Sequence, residues 1–104
     1  MNLINLTAAQ VAEQLEADSI ILVDVRETHE FNAGHIDGAV LMPLSSFDPS
    51  AVPQEDGKTV VLYCARGARS ANAAYMCQQF GVAVEQHLAD GVMGWMAAGL
   101  PLVR

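Results

Sequence analysis

The stretch YCARGARS (63–70) sets a thiol beside two arginines and a glycine. Arg66 and Arg69 are two of only five basic residues in a chain that carries twelve acidic ones, so positive charge is concentrated around Cys64. A short connection from a strand to a helix must curl tightly, and Gly67 can adopt the positive φ such a curl requires. Successive N–H groups in a curled segment converge on an anion. A helix starting near Ser70 adds the unpaired N–H groups and positive dipole of its first turn. The arginines add charges that persist at neutral pH. All three effects favour thiolate over thiol, which predicts a Cys64 pKa below the unperturbed value of about 8.5. The same loop, residues 65–69, would hold an anionic substrate against the sulfur, joining a nucleophile to the cradle that positions its electrophile. The competing reading is structural: Cys64 as a small buried residue at a strand end, its arginines solvated in a turn.

The elements that must position this loop are legible as periodicities. Thr7 followed by Gln10 has the spacing of a capping box, with LINL before it as a short strand. Ala8, Val11, Ala12 and Leu15 then give one apolar helix face ending near Asp18. SIILVDV (19–25) and TVVLYC (59–64) are apolar without alternation, the pattern of strands buried on both faces. ETHEFNAGH (27–35) predicts a short helix stopped by Gly34, and GAVLMPL (38–44) a strand ended by Pro43. FDPSAVPQEDGK (47–58) reads as a surface loop. SANAAYMCQQFG (70–81) predicts a helix whose apolar face is Ala73, Met76, Cys77 and Phe80. AVEQHL (83–88) is a last strand and GVMGWMAAG (91–99) a last helix. Strands alternating with helices predict a parallel sheet covered on both sides, an α/β fold. Ligands bind such sheets beyond the carboxyl ends of the strands, where Cys64 falls.

Composition narrows the field further. At 104 residues, 52% of them hydrophobic, the chain is expected to form one domain over 1–104 with a single core. A net charge of −7 without a Lys/Arg stripe argues against nucleic-acid and anionic-membrane partners. No apolar run approaches a membrane span. MNLINLTAAQ lacks the basic start and apolar core of a signal peptide, so a cytoplasmic address is expected. His29, His35 and His87 are scattered and the two cysteines lack zinc-ligand spacing, so no metal site is expected.

The remaining polar residues read plainly. Cys77, on an apolar helix face with no cation nearby in sequence, is expected to pack rather than react or form a disulfide. Asp24 is expected to accept structural hydrogen bonds rather than act as a base. Arg26 has Glu27 or Glu30 as candidate ion-pair partners, a solvated pair being the alternative. His35 reads as a hydrogen-bonded loop residue, His29 as solvent-facing and His87 as unremarkable; Trp95, Met93 and Met96 read as core and rim.

DVRETHEFNAGHIDGA (24–39), CARGAR (64–69) and GVMGWMAAGLP (91–101) together resemble the signature segments of rhodanese domains, in order and over nearly the whole chain. That resemblance implies a three-layer α/β/α fold with a five-stranded parallel sheet and the activity of a single-domain thiosulfate sulfurtransferase. Cys64 then matches the cysteine that carries a sulfane sulfur as a persulfide. The backbone of Ala65, Arg66, Gly67, Ala68 and Arg69 matches its cradle, and Arg69 the group that binds the anionic end of thiosulfate. Asp24, Arg26 and Ser70 match supports of the site, and Trp95 and Pro101 its C-terminal packing. Asp90 departs from the family's usual first glycine there, which predicts altered geometry near the site. Related phosphatases and arsenate reductases place five residues between cysteine and arginine, whereas four separate Cys64 from Arg69. The smaller ring implies a sulfur on the cysteine rather than a phosphate. The implied partners are a small anionic sulfur donor and a thiol or protein-cysteine acceptor. No cofactor is expected because sulfur itself is the transferred group, and a domain this small with one complete core is expected to be a monomer. The alternatives are a non-catalytic interaction module, whose usual mark is loss of the loop cysteine, and a cysteine-based redox sensor.

Overall fold

The computed structural model describes residues 2–104. In chain order it comprises β1 (Ile4–Leu6), α1 (Ala8–Glu16), β2 (Ile20–Asp24), α2 (Thr28–Ala33), β3 (Val40–Leu41), β4 (Thr59–Tyr63), α3 (Ala68–Gln79), β5 (Gln86–Leu88) and α4 (Gly91–Ala97). The five strands form one sheet in the order β1-β5-β4-β2-β3. Every neighbouring pair is parallel. No helix among the described residues is long and apolar enough to cross a membrane.

The two central strands explain the absence of alternation in their sequences. On β2 and β4, Ile20, Leu22, Val61 and Tyr63 point to one face, into a core shared with Val11 of α1 and Val92 and Trp95 of α4. Val23, Val60, Leu62 and the adjoining Val25 and Cys64 point to the other, against Ala73, Ala74 and Cys77 of α3. Both faces are therefore dry, and each fully buried aliphatic side chain contributes roughly 1.5–3 kcal/mol. This doubly buried pair is the rigid base from which Cys64 projects.

Local signals act as expected at α1, where Thr7 Oγ1 accepts from the Gln10 N–H and Gln10 Oε1 from the Thr7 N–H. A second capping box, Glu27 with Glu30, starts α2. That helix ends at Gly34, but at φ 160, which is extended backbone and not the left-handed turn of a glycine cap. The glycine serves proximity instead: a Cβ there would lie 3.3 Å from Leu102 Cδ1.

Several boundaries differ from expectation. β3 has only two residues, and residues 47–58 are not merely a surface loop, because Val52 is buried against α3's core. α3 starts at Ala68, two residues before Ser70. Its buried face is Ser70, Ala73, Ala74 and Cys77, while Phe80 is 68% exposed. Phe80 lies just past the last helical residue, and the chain then reverses at Gly81 (φ 77). Val82 donates its N–H to the Cys77 carbonyl, and Val82 and Val84 join the core beside Cys77 in Phe80's place. Phe80 is left lining a surface hollow with Phe47, Pro49 and Met76.

Candidate active site

Cys64 leaves β4 at its carboxyl end, four residues before the first turn of α3 begins at Ala68. The connection is short because Gly67 takes φ 109 and ψ −20. A side chain could not follow it there, since a Cβ would fall 2.1 Å from the Ala89 carbonyl oxygen. The curl aims N–H groups at the sulfur: Gly67 donates to Sγ at 3.1 Å and Ser70 at 3.3 Å. The Ser70 hydroxyl lies 3.6 Å from Sγ.

α4 completes the arrangement from the opposite side. Val92 and Met93 donate their N–H groups to the carbonyls of Cys64 and Ala65 at 2.9 and 3.1 Å. Those two carbonyls are thereby drawn toward α4, which leaves the following N–H groups free to face the thiol. Gly91 makes the approach possible, at φ 61 with a virtual Cβ only 2.3 Å from the Ala65 oxygen. Asp90, the departure from the family pattern, sits at φ −95 and ψ 4, where any side chain is accommodated. Trp95 and Pro101 pack as expected, the indole N–H donating to the Pro101 carbonyl at 2.9 Å.

Burial pushes the Cys64 thiol up, but the Ser70 hydroxyl and the N–H groups of Ser70, Gly67 and Arg66 outweigh it, and the net shift is downward. Hydrogen bonds to the charged form are thus the main stabilisers of a thiolate here. The arginines contribute less directly than their spacing suggested. Arg66 is exposed. Arg69 is held by Glu30 of α2 in a two-pronged pair, at 2.7 and 3.0 Å, and chiefly this bond holds the Glu30 carboxyl at about 2. Ala65 is half-buried and Ala68 exposed at the rim.

Asp24 and Arg26 form a unit at the carboxyl end of β2, where Asp24 is paired with Tyr63 of β4. Asp24 is fully buried, and Arg26 6% exposed. The Arg26 guanidinium donates to both Asp24 oxygens, at 3.1 Å from Nε and 2.8 Å from the terminal nitrogen, and also to the Gly34 carbonyl at 2.7 Å. It stacks over Tyr63, 5.6 Å from the ring centroid, whose hydroxyl accepts the Ile36 N–H. Arg26 therefore pairs with Asp24 and not with Glu27 or Glu30: a partner two residues away at the strand end is reached without leaving the core. Glu27 instead accepts from the Ser45 hydroxyl at 2.6 Å. The Asp24–Arg26 unit ties β2 to the end of α2, and α2 in turn presents Glu30 to Arg69.

His87 is the residue that sequence reasoning missed. It is buried, with one ring nitrogen 2.8 Å from Ser70 Oγ and the other 2.8 Å from Asn5 Oδ1. The available signal was strand register: His87 is paired with Leu62, and Leu62 faces α3. Paired residues on parallel strands point to the same face. His29 is exposed, and His35 bonds the Phe31 carbonyl and stacks on the Phe31 ring, both as expected.

Residues 7–98 match the rhodanese-like domain. An uncharacterized protein of Synechocystis is 46% identical over 93% of this chain, and the chain spans only 55% of that relative's length. The thiosulfate sulfurtransferase GlpE of Shewanella oneidensis is 33% identical, over 90% of this chain and 93% of its own. Among solved structures, a rhodanese-related protein of Thermoplasma volcanium superposes with a TM-score of 0.81 at 29% identity, covering 99% of this chain and 98% of its own.

Proposed function

The chain belongs to the rhodanese-like domain family, and from that premise we propose that it transfers sulfane sulfur through a persulfide on Cys64. The observation that carries this reading is the thiol itself, set where two N–H groups, a hydroxyl and the start of α3 converge. The Cys64 thiolate attacks the outer sulfur of thiosulfate. The new S–S bond forms as the old one breaks, and its electron pair leaves with sulfite. The outer sulfur, now the anionic end of a persulfide, is held by N–H groups of residues 65–69. A thiophilic acceptor then attacks that sulfur: cyanide in an assay, a small thiol or a protein cysteine in the cell. Thiocyanate or a new persulfide departs, and the Cys64 thiolate is regenerated.

Arg66 meets the donor at the rim, and Arg69 shares its charge between Glu30 and the anionic end of thiosulfate. Asp24 and Arg26 hold the site without reacting, and Ser70 supports the loop from α3, its N–H directed at Sγ. Persulfide chemistry at this loop needs no metal or organic cofactor, because the migrating group is sulfur. A retained loop cysteine with a downward-shifted pKa favours catalysis over a purely non-catalytic module.

The test is intact mass after thiosulfate treatment. The protein is expected to gain the mass of one sulfur atom and lose it on addition of cyanide with formation of thiocyanate. Cys64→Ser is expected to do neither. A folded wild-type protein that never gains that mass, or a Cys64→Ser variant that still makes thiocyanate, overturns the proposal.

A further inference from the structure

His87 is a buried titratable group with no part in the chemistry above, and it lies on a continuous hydrogen-bonded path to the reacting sulfur. We propose that His87 is a positioning residue that acts through the Ser70 hydroxyl to take up the proton of Cys64. The inference rests on Cys64 being the reactive thiol but not on the identity of any sulfur donor.

The geometry fixes the direction of each bond. Asn5 Oδ1 can only accept, so the His87 nitrogen 2.8 Å from it, Nε2, carries the proton. Nδ1 is then bare and accepts the Ser70 hydroxyl, also at 2.8 Å. With its hydrogen directed to the ring, Ser70 Oγ offers a lone pair to the Cys64 S–H at 3.6 Å. When the thiol ionises, its proton passes to Oγ while the serine's own proton passes to Nδ1. One S–H and one O–H bond break, a new O–H and a new N–H form, and no electrons change hands. The resulting imidazolium has both N–H groups satisfied, by Ser70 and by Asn5, and the new serine hydroxyl faces the thiolate.

The surroundings suit this role. From β1 the neutral Asn5 faces the ring, from α3 Ser70, and from the loop Gly67, whose virtual Cβ lies 3.7 Å from the imidazole Cε1. Arg69, next to Ser70, is turned to Glu30. Cys64 is thus the titrating partner on the path. Burial lowers the His87 pKa, so the ring is neutral at rest with Nδ1 free to accept; the same burial opposes the imidazolium, which the Cys64 thiolate formed in the same step must stabilise. The competing acceptor for the Ser70 hydroxyl is the Gly67 carbonyl at 3.1 Å. That carbonyl can orient the hydroxyl, but it cannot hold a transferred proton.

The experiment is the pH profile of Cys64 alkylation by iodoacetamide, followed at that residue by mass spectrometry. It requires no sulfur transfer. His87→Leu is expected to raise the midpoint by about one pH unit, so that alkylation below the midpoint slows about tenfold. Asn5→Asp preserves the acceptor for Nε2–H, adds a charge that stabilises imidazolium, and is expected to lower the midpoint. Asn5 is exposed, so this variant tests the path even if His87→Leu does not fold. Unchanged midpoints in the folded variants overturn the proposal. That outcome would leave sulfur loading by thiosulfate intact, whereas failure to load sulfur in the wild type would leave the alkylation profiles unaffected.

Discussion

The Glu30–Arg69 pair makes a sharp prediction about how an anionic donor is met. Glu30 holds the guanidinium by two short bonds, so any anion that uses Arg69 must compete with a carboxylate already in place. The carboxyl sits at about 2 against an ordinary 4.5, which at about 1.4 kcal/mol per unit would be about 3 kcal/mol before screening. Both side chains are partly in water, 25% and 34% exposed, and screening reduces the pair to about 1 kcal/mol. Glu30→Gln retains a hydrogen-bond acceptor for Arg69 but removes the competing charge. The KM for thiosulfate is then expected to fall about fivefold, with kcat at saturating cyanide little changed. The effect should shrink as ionic strength rises. The same substitution has a stability signature. A carboxyl whose folded pKa is depressed adds stability above its unfolded value and loses it as pH falls from about 4.5 toward about 2. Urea unfolding across that window should therefore show a decline in the wild type that is reduced in Glu30→Gln. A folded variant whose KM and salt dependence match the wild type would refute the competition and show that Arg69 serves α2 rather than the donor.

Two further substitutions probe the loop and its base. Gly67→Ala combines an unfavourable φ with a Cβ driven against the Ala89 carbonyl, and is expected to cost about 3 kcal/mol in urea unfolding. It should also raise the alkylation midpoint of Cys64, because the Gly67 N–H must move from the sulfur; wild-type stability would contradict the backbone argument. Asp24→Asn leaves the Arg26 cation buried without its counter-charge and is expected to lose about 3–5 kcal/mol. The molecules that remain folded in the cold should still alkylate at Cys64 with an unaltered pH profile, and a displaced profile would mean that Asp24 takes part in proton transfer.

What was legible in the sequence was local or periodic. The Thr7–Gln10 cap, the two doubly buried strands and the glycine-punctuated curl after Cys64 each involve residues within a few positions of one another, so pattern alone specifies them. The misses are contacts between distant segments. Glu30 reaches Arg69 across 39 positions, and His87 reaches Ser70 across 17. Neither follows from residue type, because an arginine beside a thiol and a histidine on a strand have many possible partners. Phe80 failed for a different reason. Helical periodicity placed it on the core face, but α3 ended one residue earlier and Gly81 reversed the chain. Side-chain type could not announce that Val82 and Val84 would occupy the space.

The two thiols show how narrowly the chemistry depends on position. Cys64 and Cys77 lie in the same apolar cluster, 1% and 0% exposed, so the solvent they have lost is nearly equal. Burial alone acts on Cys77 and pushes it up to about 11, yet Cys64 moves the other way. Both cysteines contact the same helix, so the presence of α3 is not the difference either. Cys77 is a member of its later turns, where backbone N–H groups are already bonded to carbonyls four residues back. Cys64 precedes the helix and meets the N–H groups that have no such partner. The left-handed turn at Gly67 is what brings the sulfur to that end, and the N–H groups of α4 hold the loop carbonyls away from it. The preference for thiolate at Cys64 is therefore a consequence of backbone geometry first and of nearby charge second. This is why the loop can leave Arg69 bound to Glu30 and still favour a thiolate at Cys64.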